Sequence, residues 1–395
     1  MSSESIVFAS ARRTPIGAFQ GALTGASAPA LGGAAIAAAL QDTGLAGADI
    51  DQALMGCVLS AGLGQAPARQ AVLAAGLPNS VPCTTVNKMC GSGMQTIMLA
   101  SDMLRAGSAR IVIAGGLESM SNAPYLLPKA RAGYRMGHQE VLDHMFYDGL
   151  QDPFEGKMMG HFAEATAQKY GFTREQQDAF AIESVRRAHA AAGNGSFAQE
   201  LAPVTISTRK GEVTIAEDET PGTVNVDKIP GLRPAFAKDG TVTAASSSSI
   251  SDGAAATVMM TADEARQRGI TPIARLAGHS SFAHEPAWFT TAPVSAIARL
   301  HERFGWTPDD VDLYEINEAF AVVTMAAMQD LGIDHAKVNV NGGACALGHP
   351  IGATGARITT TLIHALRARG LRRGIASLCI GGGEAVAIAV EIDKD

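Results

Sequence analysis

The stretch Val86-Asn87-Lys88-Met89-Cys90-Gly91-Ser92-Gly93-Met94-Gln95 joins two predicted elements of secondary structure. The run from Pro82 to Val86 before it is typical of a β-strand, and the apolar spacing from Met94 to Arg105 after it predicts a buried helix. Unpaired N–H groups and the helix dipole at such a junction favour a thiolate. We therefore expect Cys90 to have a lowered pKa and to be a nucleophile. The alternative is a structural cysteine at a strand end.

Short strands and helices alternate on both sides of this stretch. In the first half of the chain the predicted elements are the strand Ile6 to Ala9, the helix Ala30 to Leu40, the strand Asp49 to Gly56, the helix Ala66 to Ala75 and the strand Arg110 to Gly116. This alternation predicts an α/β fold built of βαβ layers.

The second half of the chain repeats this order. Asp310 to Ile316 resembles the Asp49 strand, Val338 to Gly343 stands where the strand before Cys90 would be, and Ile375 to Gly382 resembles the strand ending at Gly116. Collinear matches at a nearly constant offset indicate a duplication. Chance similarity between generic βα units is the alternative.

A segment of different character separates the two halves. Its first part is rich in Met, His, Tyr and Gly, which is typical both of a substrate-covering loop and of an oligomer contact. Thr173-Arg174-Glu175-Gln176 is a capping box that begins a helix reaching Gly193. Alternation around Arg209-Lys210-Gly211 predicts a hairpin. We expect an N-terminal half at 1–120 and 245–268, a covering-loop insert at 121–244 and a C-terminal half at 269–395.

Composition excludes several classes of function. The net charge of −7 and the lack of a basic block argue against a nucleic-acid partner. The longest small-apolar stretch, Ala28 to Leu40, is too short to span a membrane. No secretory signal is visible. The five cysteines are odd in number and lack CxxC spacing, which favours a reduced, cytoplasmic protein over a zinc site or a disulfide framework.

Three further stretches have the composition of catalytic loops. His349, before Pro350 and among glycines at a helix entrance, is placed as a base. The glycines after Cys379 offer backbone N–H groups for an oxyanion, with a buried strand-end cysteine as the alternative. Asn317 could position a water or an oxyanion, and a helix cap is equally compatible with it.

Taken together, these motifs resemble the thiolase family, the acyl-CoA C-acyltransferases that make or cleave 3-ketoacyl-CoA. The resemblance runs from Ala11-Arg12-Arg13-Thr14-Pro15-Ile16-Gly17 through Gly115-Gly116-Leu117-Glu118-Ser119-Met120-Ser121-Asn122 to Cys379-Ile380-Gly381-Gly382-Gly383. It implies duplicated βαβαβαββ halves in a five-layered α-β-α-β-α arrangement. It also implies that acyl-CoA and CoA are substrates, with no bound cofactor and no metal, and that the chain forms a homodimer or homotetramer.

The resemblance implies a role for each catalytic residue. Cys90 would carry the acyl group as a thioester, and His349 would take its proton. His349, together with a water held by Asn317, would stabilise the enolate oxygen of the second acyl-CoA. Cys379 would remove the α-proton, while the N–H groups of Cys90 and Gly381 would hold the oxyanion.

The same resemblance implies the substrate contacts. The positions expected to line the pantetheine tunnel or the acyl pocket are Ser248, Phe236, Phe320, Ala319 and Met158. Lys228 is a candidate for the CoA nucleotide, because the arginine that many members carry in this region is missing.

Two further positions depart from the family pattern, and the first of them bears on the expected specificity. Met158 stands where short-chain enzymes usually carry a histidine, which places strict short-chain specificity in doubt. Glu384-Ala385 stands where a small glycine-type pair is common. We expect acetoacetyl-CoA or short-chain chemistry, with a broader-chain degradative enzyme as the alternative.

Two other functions compete with this interpretation. A decarboxylating condensing enzyme of the same fold would lack a second catalytic cysteine, and Cys379 argues against it. An acyl-CoA-binding paralogue without activity would be expected to lack Cys90, His349 or Cys379, and all three are present. A dinucleotide site is not expected, because no G-x-G-x-x-G follows the first strand.

Overall fold

A computed structural model describes residues 5–209 and 211–393 of the chain. Its strands are β1 (Ile6–Arg13), β2 (Gly17–Ala18), β3 (Gln52–Gly56), β4 (Cys83–Val86), β5 (Ile111–Ser119), β6 (Tyr125–Leu126), β7 (Leu142–Asp143), β8 (Val204–Thr208), β9 (Gly211–Ile215), β10 (Ser251–Thr261), β11 (Ala274–Ala283), β12 (Leu313–Ile316), β13 (Arg373–Ile380) and β14 (Glu384–Glu391).

The α-helices alternate with these strands. They are α1 (Ala28–Thr43), α2 (Pro67–Ala74), α3 (Ser92–Arg105), α4 (Met159–Tyr170), α5 (Arg174–Gly193), α6 (Ala262–Gln267), α7 (Ala292–Phe304), α8 (Ala321–Leu331), α9 (Ala344–Leu347) and α10 (Thr354–Ala368). Each predicted helix is present, with ends that differ from the prediction by a few residues.

The first half of the chain forms the strand order β4-β3-β5-β10-β1. Strands β3, β4 and β5 are parallel, and β10 is antiparallel to β5 and β1. Helices α1 and α2 cover one face of these strands through a buried apolar cluster. Because β5 and β10 are buried along their whole length, their sequences are mostly apolar or small rather than alternating, with Glu118 in β5 and Asp252 in β10 as the charged exceptions.

The second half repeats this order with β12-β13-β14-β11. Its predicted third strand, from Val338 to Gly343, is wrong in extent, because only Val338 pairs, in a single bridge to Tyr314. Asn339 has φ of 47°, and its side-chain amide bonds both the N–H and the carbonyl of Ile316. The chain therefore turns away from the sheet after one paired residue.

The two halves meet along β1 and β11, which pair antiparallel from Ile6↔Leu276 to Phe8↔Ala274. Helices α3 and α10 pack against each other in the middle, in one apolar cluster with strands of both halves. Helices α7 and α8 cover the outer face of the second half. The resulting layers are α-β-α-β-α, and the predicted fold class is confirmed.

The segment between β5 and β10 contains mainly short elements. Thr173 caps α5 as predicted, since its hydroxyl accepts the Gln176 N–H at 3.3 Å and the Gln176 side chain accepts the Thr173 N–H at 2.9 Å. Strands β8 and β9 form the predicted hairpin, in which Lys210 lies outside the described residues. The segment is joined to β1 by the buried ion pairs of Arg13 with Glu200 at 2.5 Å and with Asp218 at 2.7 Å.

Candidate active site

The Cys90 turn lies between β4 and α3, as the sequence predicts. Met89 adopts a left-handed backbone with φ of 46°, which is uncommon for a residue with a side chain and marks functional sites. The Ser92 hydroxyl accepts the Lys88 N–H at 2.9 Å and donates to the Met89 carbonyl at 2.6 Å. The side chain of Ser92 therefore closes the turn and fixes the position of Cys90.

The prediction of a lowered Cys90 pKa is wrong for the folded protein. Burial raises the pKa of the Cys90 thiol to about 11, and the buried Glu118 carboxylate adds to the rise. The backbone N–H groups of Gly381 and Cys90 act in the opposite direction but do not compensate for the lost hydration. At rest Cys90 is a thiol, so a base must take its proton when it reacts.

Gly381 follows the end of β13 and lies beside Cys90, with its N–H directed at the Cys90 sulfur. The loop that carries Gly381 can lie this close to the Cys90 turn because residue 91 is a glycine. A Cβ at Gly91 would lie 2.4 Å from Cδ1 of Ile380, the residue before Gly381. The N–H groups of Cys90 and Gly381 are thus both directed at the Cys90 sulfur, so two donors lie beside the atom to which a substrate carbonyl would bond.

His349 lies in the loop between α9 and α10, buried and at the cavity wall. Its Nδ1 is 2.6 Å from the Thr354 hydroxyl, which donates its own hydrogen to the Pro350 carbonyl at 2.9 Å. The hydroxyl must therefore accept, so Nδ1 carries the proton and Nε2 has the free lone pair. Nε2 is buried and has no partner among the described residues.

Burial lowers the pKa of His349 to about 3, and the nearby Arg357 guanidinium acts in the same direction. The imidazole is therefore neutral across the physiological range. A neutral imidazole at the cavity wall, with Nε2 unprotonated and unpaired among the described residues, can accept a proton.

Cys379 lies within β13 and is buried. Removal from water raises the pKa of its thiol far above the usual value, and the nearby Cys90 raises it further. A thiolate formed there is a strong base, because its neutral form is strongly favoured.

Asn317 follows the end of β12 and is 1% exposed. Its backbone N–H donates to the Ser377 carbonyl at 3.0 Å, but both atoms of its side-chain amide are buried without a partner among the described residues. A buried amide is rarely left unpaired, and this one offers a donor and an acceptor suited to hold a water. The alternative of a simple helix cap lacks support, since α8 begins at Ala321 with no side-chain cap.

One apolar cavity of about 250 Å³ is lined by Cys90, Gly381, His349 and Cys379 together. Its walls include the predicted residues Cys90, His349, Cys379, Gly381, Ser248, Phe236, Met158, Ala319 and Phe320. The Ser248 hydroxyl donates to the Ala319 carbonyl at 3.0 Å. The rings of Phe236 and Phe320 meet edge to face at 5.8 Å between centroids.

Two predicted residues lie apart from the cavity wall. Asn317 is not among the lining residues. Lys228 is exposed on the 3₁₀ segment Val226–Gly231 and is also not among the lining residues, so its role stays a prediction.

Sequence reasoning missed several residues of the site. Apolar wall residues to which the sequence assigned no role include Met120, Phe289, Leu150 and Ile351. Glu118 was also missed, although a carboxylate in an apolar strand is a signal of its own. It is fully buried and accepts the backbone N–H groups of Val58, Leu59 and Gly352 at 2.9–3.1 Å. Glu118 thereby ties the first half of the chain to the His349 loop.

Comparison with known proteins agrees with this geometry. The family model for the thiolase N-terminal domain matches residues 6–263, and that for the thiolase C-terminal domain matches residues 270–392. The chain therefore belongs to the thiolase family.

Similar proteins span the whole chain. An acetyl-CoA acetyltransferase from Allochromatium vinosum is 49% identical over 98% of this chain and 99% of its own length. An acetyl-CoA acetyltransferase from Pseudomonas aeruginosa is 48% identical over 99% of this chain and 100% of its own length. The crystal structure of the Bacillus anthracis acetyl-CoA acetyltransferase superposes with a TM-score of 0.97, 41% identity and 99% coverage of both chains. The crystal structure of a thiolase from Ascaris suum in complex with coenzyme A superposes with a TM-score of 0.93 and 42% sequence identity, covering 99% of this chain and 100% of that chain.

Two kinds of feature are absent from the described part of the chain. No helix in residues 5–209 and 211–393 has both the length and the hydropathy of a membrane span. The same residues contain no group of three or more His, Cys, Asp or Glu side chains arranged to hold a metal ion.

Proposed function

We propose that this chain is an acetyl-CoA C-acetyltransferase that joins two acetyl-CoA molecules to acetoacetyl-CoA, or cleaves acetoacetyl-CoA with CoA. The observation that carries the proposal is the convergence of two thiols, a neutral imidazole and two backbone N–H groups on one apolar cavity. Full-length relatives named acetyl-CoA acetyltransferases support the acetyl group as substrate.

In the first half-reaction Cys90 attacks the thioester carbonyl of acetyl-CoA. Its proton passes to His349 Nε2, the atom that the Thr354 contact leaves unprotonated. The N–H groups of Cys90 and Gly381 hold the oxyanion. The C–S bond to CoA then breaks, the CoA sulfur takes the proton from His349, and acetyl-Cys90 remains.

In the second half-reaction Cys379 first gives its thiol proton to His349 Nε2, which is free again once CoA has left, and the resulting Cys379 thiolate removes an α-proton from the bound second acetyl-CoA. The enolate oxygen is stabilised by His349 and by a water that the Asn317 amide holds. The α-carbon attacks the acetyl-Cys90 carbonyl, acetoacetyl-CoA forms, and Cys90 leaves as a thiolate that takes the proton held by His349. Thiolysis is the same sequence in reverse. A dry cavity suits both directions, because water would hydrolyse the acyl-enzyme.

The substrate contacts follow from the cavity wall. Ser248, Ala319, Phe236 and Phe320 form its polar edge and aromatic side, and we assign the pantetheine arm to them. Met158 caps the start of α4 and is assigned to the acyl pocket. Lys228 is assigned to the CoA nucleotide, outside the cavity, where its exposure leaves the ammonium free to meet a phosphate.

The acyl length is decided by the space beside Cys90. Met158 and Phe289 are bulky apolar groups at the cavity wall, and they favour a short acyl group. Methionine is flexible enough to move aside, so a broader-chain degradative thiolase is the second candidate.

The remaining proposals concern organisation. The division into halves at 1–120 with 245–268 and at 269–395, with an insert at 121–244, is kept as a proposal. We propose a homodimer or homotetramer in the cytoplasm. Its support is the exposed apolar side chains of the insert, among them Tyr125, Leu127, Met136 and Phe154, since such patches mark protein contacts.

The test is CoA-dependent thiolysis of 3-ketoacyl-CoA substrates from four to sixteen carbons, with Cys90→Ala as the control. Turnover confined to acetoacetyl-CoA supports the acetyltransferase. A kcat/KM that rises with chain length supports the degradative enzyme instead. Tight acyl-CoA binding without turnover on any substrate contradicts the catalytic proposal and favours a binding paralogue.

A further inference from the structure

The salt bridge between Lys88 and Glu384 joins the two loops that carry the oxyanion N–H groups. Lys88 Nζ lies 2.5 Å from Glu384 Oε2, and the two side chains are 25% and 37% exposed. Lys88 is two residues before Cys90, and Glu384 is three residues after Gly381. Glu384 is also the first residue of the pair that departs from the family pattern.

Both loops contain residues with positive φ. Met89 carries a side chain at φ of 46°, while Gly382 and Gly383 have φ of 95° and 88°. Strained or permissive conformations of this kind persist only where the surroundings fix them. Glu384 is itself well anchored, since β14 is paired on both sides at this position, to β13 and to β11.

The two loops touch at two places. At one, the missing side chain of Gly91 lets Ile380 approach the turn. At the other, Lys88 reaches Glu384. The Cys90 N–H belongs to one of these loops and the Gly381 N–H to the other, so contacts between the loops bear on the separation of the two N–H groups.

We infer that the Lys88–Glu384 pair is a positioning device that fixes the distance between the two oxyanion-hole N–H groups. The inference rests on the proposed function and deepens it, because neither side chain lines the cavity and both act through the backbone. It also explains the departure at Glu384, which would be an unpaired acid beside the site if Lys88 were absent.

Breaking the Lys88–Glu384 pair should lower kcat less than removing an oxyanion-hole N–H group altogether. Complete loss of an oxyanion donor costs on the order of 10²–10³ in kcat, and a loosened donor should cost about tenfold. The KM for CoA should change little, since the pantetheine wall is untouched. The pair is accessible to solvent, so high salt should weaken it and reproduce part of the loss in the wild type.

The experiment compares Lys88→Met, Glu384→Gln and the double variant with Lys88→Arg, which keeps the pair. The matched control is Arg12→Met, because Arg12 forms a pair with Asp42 of similar exposure, 22% and 33%, away from the cavity. The two single variants and the double should show the same loss in kcat, since each breaks one interaction. Lys88→Arg and Arg12→Met should stay near the wild type.

Backbone amide exchange gives a readout that does not need activity. In Lys88→Met, peptides that contain the Cys90 turn and the Gly381 loop should exchange faster, and in Arg12→Met they should not. Unchanged exchange in both loops overturns the inference, as does a double variant whose loss is the product of the single losses. An inactive wild type would contradict the proposed function alone, since the exchange result still decides the role of the pair.

Discussion

The two halves of the molecule share one strand order but differ beyond the third strand. In the first half β4 pairs over four residues with β3 and runs through the Cys90 turn directly into α3. In the second half the equivalent pairing is one bridge at Val338, and α9 and the His349 loop precede α10. In the proposed mechanism the first half therefore supplies the nucleophile and the second supplies the acid–base groups. A duplicated scaffold acquires two chemical roles through one altered connection.

The largest expected effect separates the two thiols. Cys90→Ala should lose on the order of 10⁴ or more in kcat and should not be acetylated by acetyl-CoA. Cys379→Ala should lose about 10³ in condensation yet still accept one acetyl group on Cys90, because the first half-reaction does not use Cys379. Intact-protein mass spectrometry after incubation with acetyl-CoA measures the difference.

The proposed difference between the two thiols would be contradicted if Cys90→Ala and Cys379→Ala showed the same acetylation. Acetylation of Cys90→Ala would place the acyl group on another residue, and its site would be found by peptide mapping. Failure of Cys379→Ala to acetylate, with an unchanged melting temperature, would show that both halves are needed for the first step.

The next effect concerns the His349 loop, which the first half lacks. Thr354→Val removes the acceptor for Nδ1–H, so the imidazole can adopt the tautomer that blocks Nε2. We expect kcat to fall about tenfold, a fraction of what a general base contributes. Thr354→Ser keeps the hydroxyl and should retain most of the activity. Equal kinetics of the Val and Ser variants would show that the hydroxyl does not set the tautomer.

Much of the fold could be predicted from the sequence, because periodicity and glycine placement are local signals. The strand before Cys90, the helix α3 and the capping box at Thr173 are confirmed within a few residues. The strand predicted from Val338 failed because a side-chain contact decides it: the amide of Asn339 captures the backbone of Ile316. The periodicity of apolar residues in the sequence does not reveal such a side-chain contact.

Only the site residues that lie in recognisable sequence motifs could be predicted. Cys90, His349, Cys379 and Gly381 line one cavity as expected. The pKa of Cys90 was predicted in the wrong direction, because helix position is visible in the sequence while burial is not. Glu118, which contributes to that shift, joins three backbone N–H groups that are distant in sequence.

The contact between the halves can be loosened at the central helices. A Cβ on Gly355 would lie 2.3 Å from the Met94 backbone nitrogen, so Gly355→Ala must push α10 away from α3. We expect a loss of about 1–3 kcal/mol in the free energy of unfolding, measured by urea denaturation. Gly193→Ala is the control, because no atom of the described residues lies within 4 Å of a Cβ there and the change should be neutral or slightly stabilising. An equal change in the free energy of unfolding for Gly355→Ala and Gly193→Ala would contradict the close packing of the two halves.

The smallest effect is a pH dependence that belongs to the second half. Burial holds the pKa of His349 near 3 in the folded state, below about 6.5 in the unfolded chain. Between these values only the unfolded state binds the proton, so the free energy of unfolding falls as pH decreases, by up to about 1.4 kcal/mol per pH unit below 6.5. His349→Gln lacks the group, and its melting temperature should fall less steeply than that of the wild type from pH 6.5 to pH 5. His301, whose pKa burial also lowers, is only part-buried, so His301→Gln should show a smaller change in slope. Parallel slopes for the wild type and His349→Gln would mean that His349 is protonated in the folded state, and it could then not serve as the base that the second half contributes.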